Sequence, residues 1–174
     1  MTAFNSELLR RDSQIPNDLR MVLNENTLIR CVYEATHEVS WPKALLPHEA
    51  EGDLTPQAVL RTLLVYSYAI GVYSTRDIEA ATLHDPVTVY LAANHQPEWS
   101  TLRAFRRQNA IPLRRALAAL FRLAASCSGA FNCDLTYAGY STARFDLFDS
   151  NSFEHEADKR LKRAIQADSM ALDD

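Results

Sequence analysis

The run LTPQAVLRTLLVYSYAIGVYSTRDIEAATLHDPVTVYLAANHQPEWSTLRAFRRQ, residues 54–108, decides how this chain folds. It carries helix starts and stops at short intervals. Thr55-Pro56 offers an N-cap followed by proline at the first helical position, where a missing N–H does no harm. Val59, Leu60, Leu63, Leu64, Ser67 and Ile70 then share one face, and Gly71 is suited to end that helix in a left-handed conformation. Ser74 followed by Asp77 resembles a capping box and opens a short helix with Ile78, Ala81 and Leu83 inward. Asp85-Pro86 repeats the cap-plus-proline device for a third helix bearing Val87, Val89, Tyr90 and Leu91. After a polar turn from Asn94 to Pro97, Ser100 is expected to cap a fourth helix, Thr101 to about Asn109.

Outward from this run the signals thin. Pro112 is expected to start a fifth helix with Leu113, Leu117, Leu120, Phe121 and Ala124 inward, ending near Gly129. Upstream, residues from about Asn26 to Val39 place Leu28, Ile29, Val32, Tyr33 and Val39 at helical spacing before Trp41-Pro42 stops them; the polar run 48–53 reads as a loop. Residues 130–153 are polar and aromatic without a period. Phe153 to Leu172 then reads as a helix with Ala157, Leu161, Ala164, Ile165 and Leu172 on one side, and its mixed charges suggest a solvated terminal helix. The expected fold is mainly α, a compact multi-helix bundle containing a helix-turn-helix-like unit, with an irregular segment and a C-terminal helix. Its zones are an N-terminal arm with one helix (1–53), a helical domain (54–129) and a distinct tail (130–174). Helices this short depend on packing for stability, and a helix-turn-helix arrangement is a natural outcome of the pattern.

Hydrophobic residues at 47% and charged residues at 23% suit a globular domain, and no apolar run approaches the ~20 residues needed to span a bilayer. The opening MTAFNSELLRRDSQIP has no apolar signal core, so a cytoplasmic protein is expected. Cys31, Cys127 and Cys133 form an odd set without a close pair and read as reduced thiols. His37, His48, His84, His95 and His155 are scattered, without metal-ligand spacing, and no glycine-rich phosphate loop is present.

Charge is distributed unevenly. Between Trp99 and Cys133 lie six arginines, Arg103, Arg106, Arg107, Arg114, Arg115 and Arg122, and no acidic residue. The chain has 18 basic and 22 acidic residues, a net −4, so without those six charges the remainder stands at −10. A segregated basic block points to an anionic partner. At 100° per residue the fourth helix sets Leu102, Phe105 and Asn109 on one side and Ser100, Arg103, Ala104 and Arg107 on the other, with Arg106 and Gln108 on the flanks. Ser100, Thr101 and Ala104 allow close approach to a groove, Arg bonds guanine bidentately and Gln bonds adenine. Arg114, Arg115, Arg122 and Arg76 are the expected phosphate contacts. Tyr137 and Tyr140 are the aromatics nearest this block.

The same stretch resembles the N-terminal domain of bacterial insertion-sequence transposases of the DDE class. The resemblance rests on Pro56 with Leu60, Leu63, Leu64 and Tyr66; on Gly71, Ser74, Arg76, Ile78 and Glu79; on Tyr90-Leu91; and on Pro97, Ser100, Thr101, Phe105 and Arg106. Val65 stands where that family often has another leucine. The resemblance implies a helical domain that grips the terminal inverted repeats of a mobile element in double-stranded DNA. It also implies a following RNase-H-like domain, whose two aspartates and one glutamate hold two divalent cations for strand transfer. Asp134-Leu135-Thr136 lies where the family has its first aspartate in an Asp-Gly-Thr sequence, and the helix beyond resembles a charged insertion of some members. The second aspartate and the glutamate find no counterpart. The expectation is therefore a truncated or split transposase that binds DNA and is inactive alone. Mg2+ would be required only if a catalytic domain is supplied in trans, and a full-length transposase or a second copy would be the protein partner. Two alternatives remain: a helical scaffold that docks a partner on the apolar face of 154–172, and half of an enzyme completed in trans around Asp134.

Overall fold

Every residue from 62 to 69 is buried, and this run marks the centre of the computed structural model, which describes residues 28–42, 56–93, 95–127 and 150–170. A helix hidden on all sides belongs at the middle of a bundle. It is α2 (Pro56–Ile70), and six further helices among the described residues surround it: α1 (Leu28–Glu38), α3 (Thr75–His84), α4 (Pro86–Leu91), α5 (Trp99–Gln108), α6 (Ala110–Cys127) and α7 (Ser150–Met170). No strand occurs among the described residues, so the architecture is mainly α. All six of the others touch α2, while α6 lies against both α1 and α7.

Local sequence explains the breaks. At the end of α2, Gly71 takes φ +90°, its N–H reaching Tyr68 O at 3.3 Å and that of Val72 reaching Ser67 O at 2.8 Å. This double closure needs a left-handed residue, which glycine adopts without penalty. Ser74 caps α3 by accepting from Asp77 N at 3.4 Å. Asp85 ends one helix and begins the next: its N–H reaches Ala81 O at 2.9 Å, and its carboxylate accepts from Thr88 N at 2.8 Å.

Two expected starts move. α5 begins at Trp99, so Ser100 lies inside its first turn rather than at the cap, its hydroxyl donating to Glu98 Oε2 at 3.2 Å. The first N–H of α5, that of Trp99, is satisfied instead by Glu79 of α3, with Oε2 at 3.3 Å. α6 begins at Ala110, before Pro112. Proline in a first turn lacks only an N–H that has no intrahelical partner there, so the helix can start earlier at no cost. Asn109 alone separates α5 from α6, its Nδ2 donating to Phe105 O at 3.0 Å.

Leu83 is 62% exposed, not inward, because α3 buries Thr75, Ile78 and Thr82, a stripe that Leu83 just misses. The larger correction concerns α7. Phe153, Ala157, Leu161 and Ala164 are buried in the common core, so α7 is an integral helix and not a solvated tail. Ile165 lies outside that stripe and is 49% exposed. Residues 48–53, the segment 130–149 and Leu172 lie outside the described residues.

Candidate nucleic-acid interface

α5 is two-faced. Leu102 and Phe105 are buried, and the Phe105 ring stacks on Trp41 with centroids 6.1 Å apart. On the other side Ser100, Thr101, Ala104, Arg107 and Gln108 are exposed and Arg103 is half-buried. Neither Arg103 nor Arg107 has an ion-pair or hydrogen-bond partner among the described residues. At the helix start, exposed Arg76 of α3 lies over the Trp99 ring, 5.2 Å from its centroid, which holds a cation beside the first turn of α5.

Arg106 does not belong to this surface. It is 2% exposed, its Nη1 lying 2.6 Å from Asp168 Oδ2 and donating to Ala164 O at 2.9 Å. The other carboxylate oxygen, Asp168 Oδ1, accepts from the Thr75 N–H at 2.8 Å and the Thr75 hydroxyl at 3.0 Å. A residue placed by its spacing on the flank of α5 is thus drawn inward, because α7 presents a carboxylate to it. The Tyr68 hydroxyl is buried beside this pair, without hydrogen-bond geometry to the guanidinium. Burial pushes its pKa up to about 12, against the opposing pull of Arg106.

The remaining predicted contacts lie on α6. Arg115 and Arg122 are exposed, Arg122 Nε donating back to Ala118 O at 3.4 Å. Arg114 is shared with α7, 3.5 Å from Asp158 with both side chains about 40% exposed. An ion pair that open to water is weak and leaves Arg114 available to an anion. Asp134, Tyr137 and Tyr140 lie outside the described residues. Among the described residues no three His, Cys, Asp or Glu side chains gather as a metal site requires.

The groups that hold this arrangement lie on α7, outside the basic block. Arg160 of α7, 3% exposed, donates to Tyr68 O at 2.8 Å, to Ala69 O at 2.6 Å and to Glu156 Oε1 at 2.9 Å, and lies over the Phe121 ring. It closes the carbonyl end of α2 as a cation should. A signal was present: Arg160 and Asp168 both fall on the stripe of Phe153, Ala157, Leu161 and Ala164. A charge within an apolar stripe requires a buried partner.

No family model, curated protein or solved structure matches this chain. No helix among the described residues is long and apolar enough to cross a membrane.

Proposed function

We propose that the chain is a DNA-binding module that lays the outer face of α5 into the major groove of duplex DNA. One observation carries this reading: the exposed side of α5 presents small residues with Arg103, Arg107 and Gln108, while its opposite side is fixed in the core. Small residues allow the helix to approach base edges, and Arg and Gln are the side chains that discriminate guanine and adenine. Arg76, Arg114, Arg115 and Arg122 flank it as phosphate contacts, and the absence of acidic residues between Trp99 and Cys133 keeps that stretch cationic. The α3–α4–α5 succession serves as the helix-turn-helix-like unit. By its resemblance to the end-binding domain of insertion-sequence transposases, the target is the terminal inverted repeat of a mobile element in the bacterial cytoplasm. A full-length transposase or a second copy is the protein partner. Binding of this kind needs no cofactor; strand transfer would require Mg2+ and a complete acidic triad supplied in trans. Phe153, Ala157, Leu161 and Ala164, on the face of α7 where a scaffold would dock its partner, are packed in the core, which favours the DNA-binding reading.

The test is a fluorescence-anisotropy titration of a short duplex with the native chain and the Arg103→Ala/Arg107→Ala variant. With four arginines on phosphates, affinity should fall by roughly two decades between about 50 and 200 mM salt. Loss of binding in the double variant is expected. Binding insensitive to salt, or none by the native chain at low salt, would refute the reading.

A further inference from the structure

Asp168 is 4% exposed, and its two oxygens hold two different helices. Oδ1 accepts from both donors of Thr75, the first residue of α3, and Oδ2 forms an ion pair with Arg106 of α5, 2.6 Å from its Nη1. Arg106 in turn donates to Ala164 O, one turn earlier on α7. Between α3 and α5 themselves, Trp99 N donates to Glu79 Oε2 at the start of α5. The start of α5 is therefore tied by α3, and its later turns by α7.

We infer that Asp168 is a positioning residue: it fixes the roll of α5 about its own axis and with it the aim of Arg103 and Arg107. Side chains of a helix are locked at 100° per residue, so the register of Arg106 dictates that of both neighbours. The apolar contacts of Leu102 and Phe105 are non-directional and tolerate a roll. A buried ion pair has one geometry that satisfies it, and a roll that breaks it leaves a charge uncompensated in the core. Thr75 ties the same carboxylate to α3, so the C-terminal helix sets the relation between the two longer helices of the α3–α4–α5 unit. The inference rests on the DNA-binding reading for its consequence, but the positioning itself is measurable without DNA.

Asp168→Asn keeps an acceptor for Thr75 and removes the charge that holds Arg106. Arg106→Met/Asp168→Asn removes both charges, which spares the core an unpaired one should the single variant fold poorly. Both are compared with the native chain where circular dichroism shows each fully folded, by duplex titration and by amide hydrogen exchange. The expected result is binding weakened roughly 2- to 30-fold, the range for residues that couple to a site without touching its ligand. Exchange should quicken roughly ten-fold in α5 and the first turn of α3, while α1 and α2 keep native protection. Native affinity with native α5 protection in a folded variant overturns the inference. So does protection lost evenly across all helices, which marks a purely structural role. If the native chain binds no duplex, the DNA reading fails by itself and the exchange pattern alone decides whether Asp168 positions α5.

Discussion

Arg106 and Arg107 are neighbours in sequence and live in opposite surroundings: one is 2% exposed and paired with Asp168, the other is exposed with no partner among the described residues. The same contrast recurs between Arg160, closed over the end of α2, and Arg115, facing water on α6. In both pairs the buried member meets a polar group that another helix supplies. The difference teaches that arginine count is a poor guide to a nucleic-acid surface in this chain. Where α7 offers a carboxylate or α2 offers unpaired carbonyls, arginine becomes a structural tie; where neither is offered, it remains a cation presented to solvent.

Removing the carboxylate should break that contrast most severely. Asp168→Ala strands Arg106 and the Thr75 N–H in the core, and breaking a buried pair on one side costs about 3–5 kcal/mol. For a chain of this size each kcal/mol is worth roughly 2–4 °C in melting temperature. Thermal unfolding followed by circular dichroism should show a fall on that scale; a shift of only one or two degrees would mean that the pair does not hold α7. Arg160→Ala comes next. It uncaps two carbonyls of α2 and removes the cation over Phe121, a loss of roughly 1.5–3 kcal/mol by the worth of hydrogen bonds to charged groups. Since Arg160 lies away from the outer face of α5, duplex affinity of the folded variant should stay near native.

The exposed members sharpen the comparison from the other side. Arg103→Ala/Arg107→Ala should leave stability within about 0.5 kcal/mol of native, as surface changes usually do. The same variant should lose about 1–3 kcal/mol of binding for each base contact removed. A double variant that melts well below the native chain would show these arginines to be structural, like Arg106, and would remove the ground for a groove-reading helix.

Much of the fold was legible because its punctuation is local. Gly71, Ser74 and Asp85-Pro86 act within a few residues of themselves, and the structure uses each as a stop or a cap. Ser100 misled because the first N–H of α5 is satisfied from α3, twenty residues away, by Glu79. The two sides of α5 were legible from spacing alone, but the depth of Arg106 was not. A flanking arginine is exposed or buried according to what faces it, and its partner lies on a helix far along the chain. The charges within the α7 stripe were visible, yet mixed charge suggested a solvated helix. Only packing shows that two of those charges point inward.

The smallest expected effect lies where the buried pair meets a tyrosine. Tyr68 is buried, and its hydroxyl has no hydrogen-bond partner among the described residues. A buried hydroxyl without a partner is an unreturned desolvation cost, so Tyr68→Phe should be neutral or stabilising by up to about 1 kcal/mol at neutral pH, with the ring stack on Tyr73 kept. The sign reverses the usual expectation for losing a polar atom near an ion pair. It also has a pH signature. The folded phenol is raised to about 12, against about 10 in the unfolded chain, so the folded state retains its proton where the unfolded state gives it up. The stability of the native chain associated with this group is therefore full below about pH 10 and drains as pH rises toward about 12. In Tyr68→Phe that part of the alkaline slope disappears, which urea melts across this range would record as a shallower decline. A Phe variant that is clearly less stable at pH 7 would mean that the hydroxyl is bonded after all, and that Arg106 is tied to α2 as well as to α7.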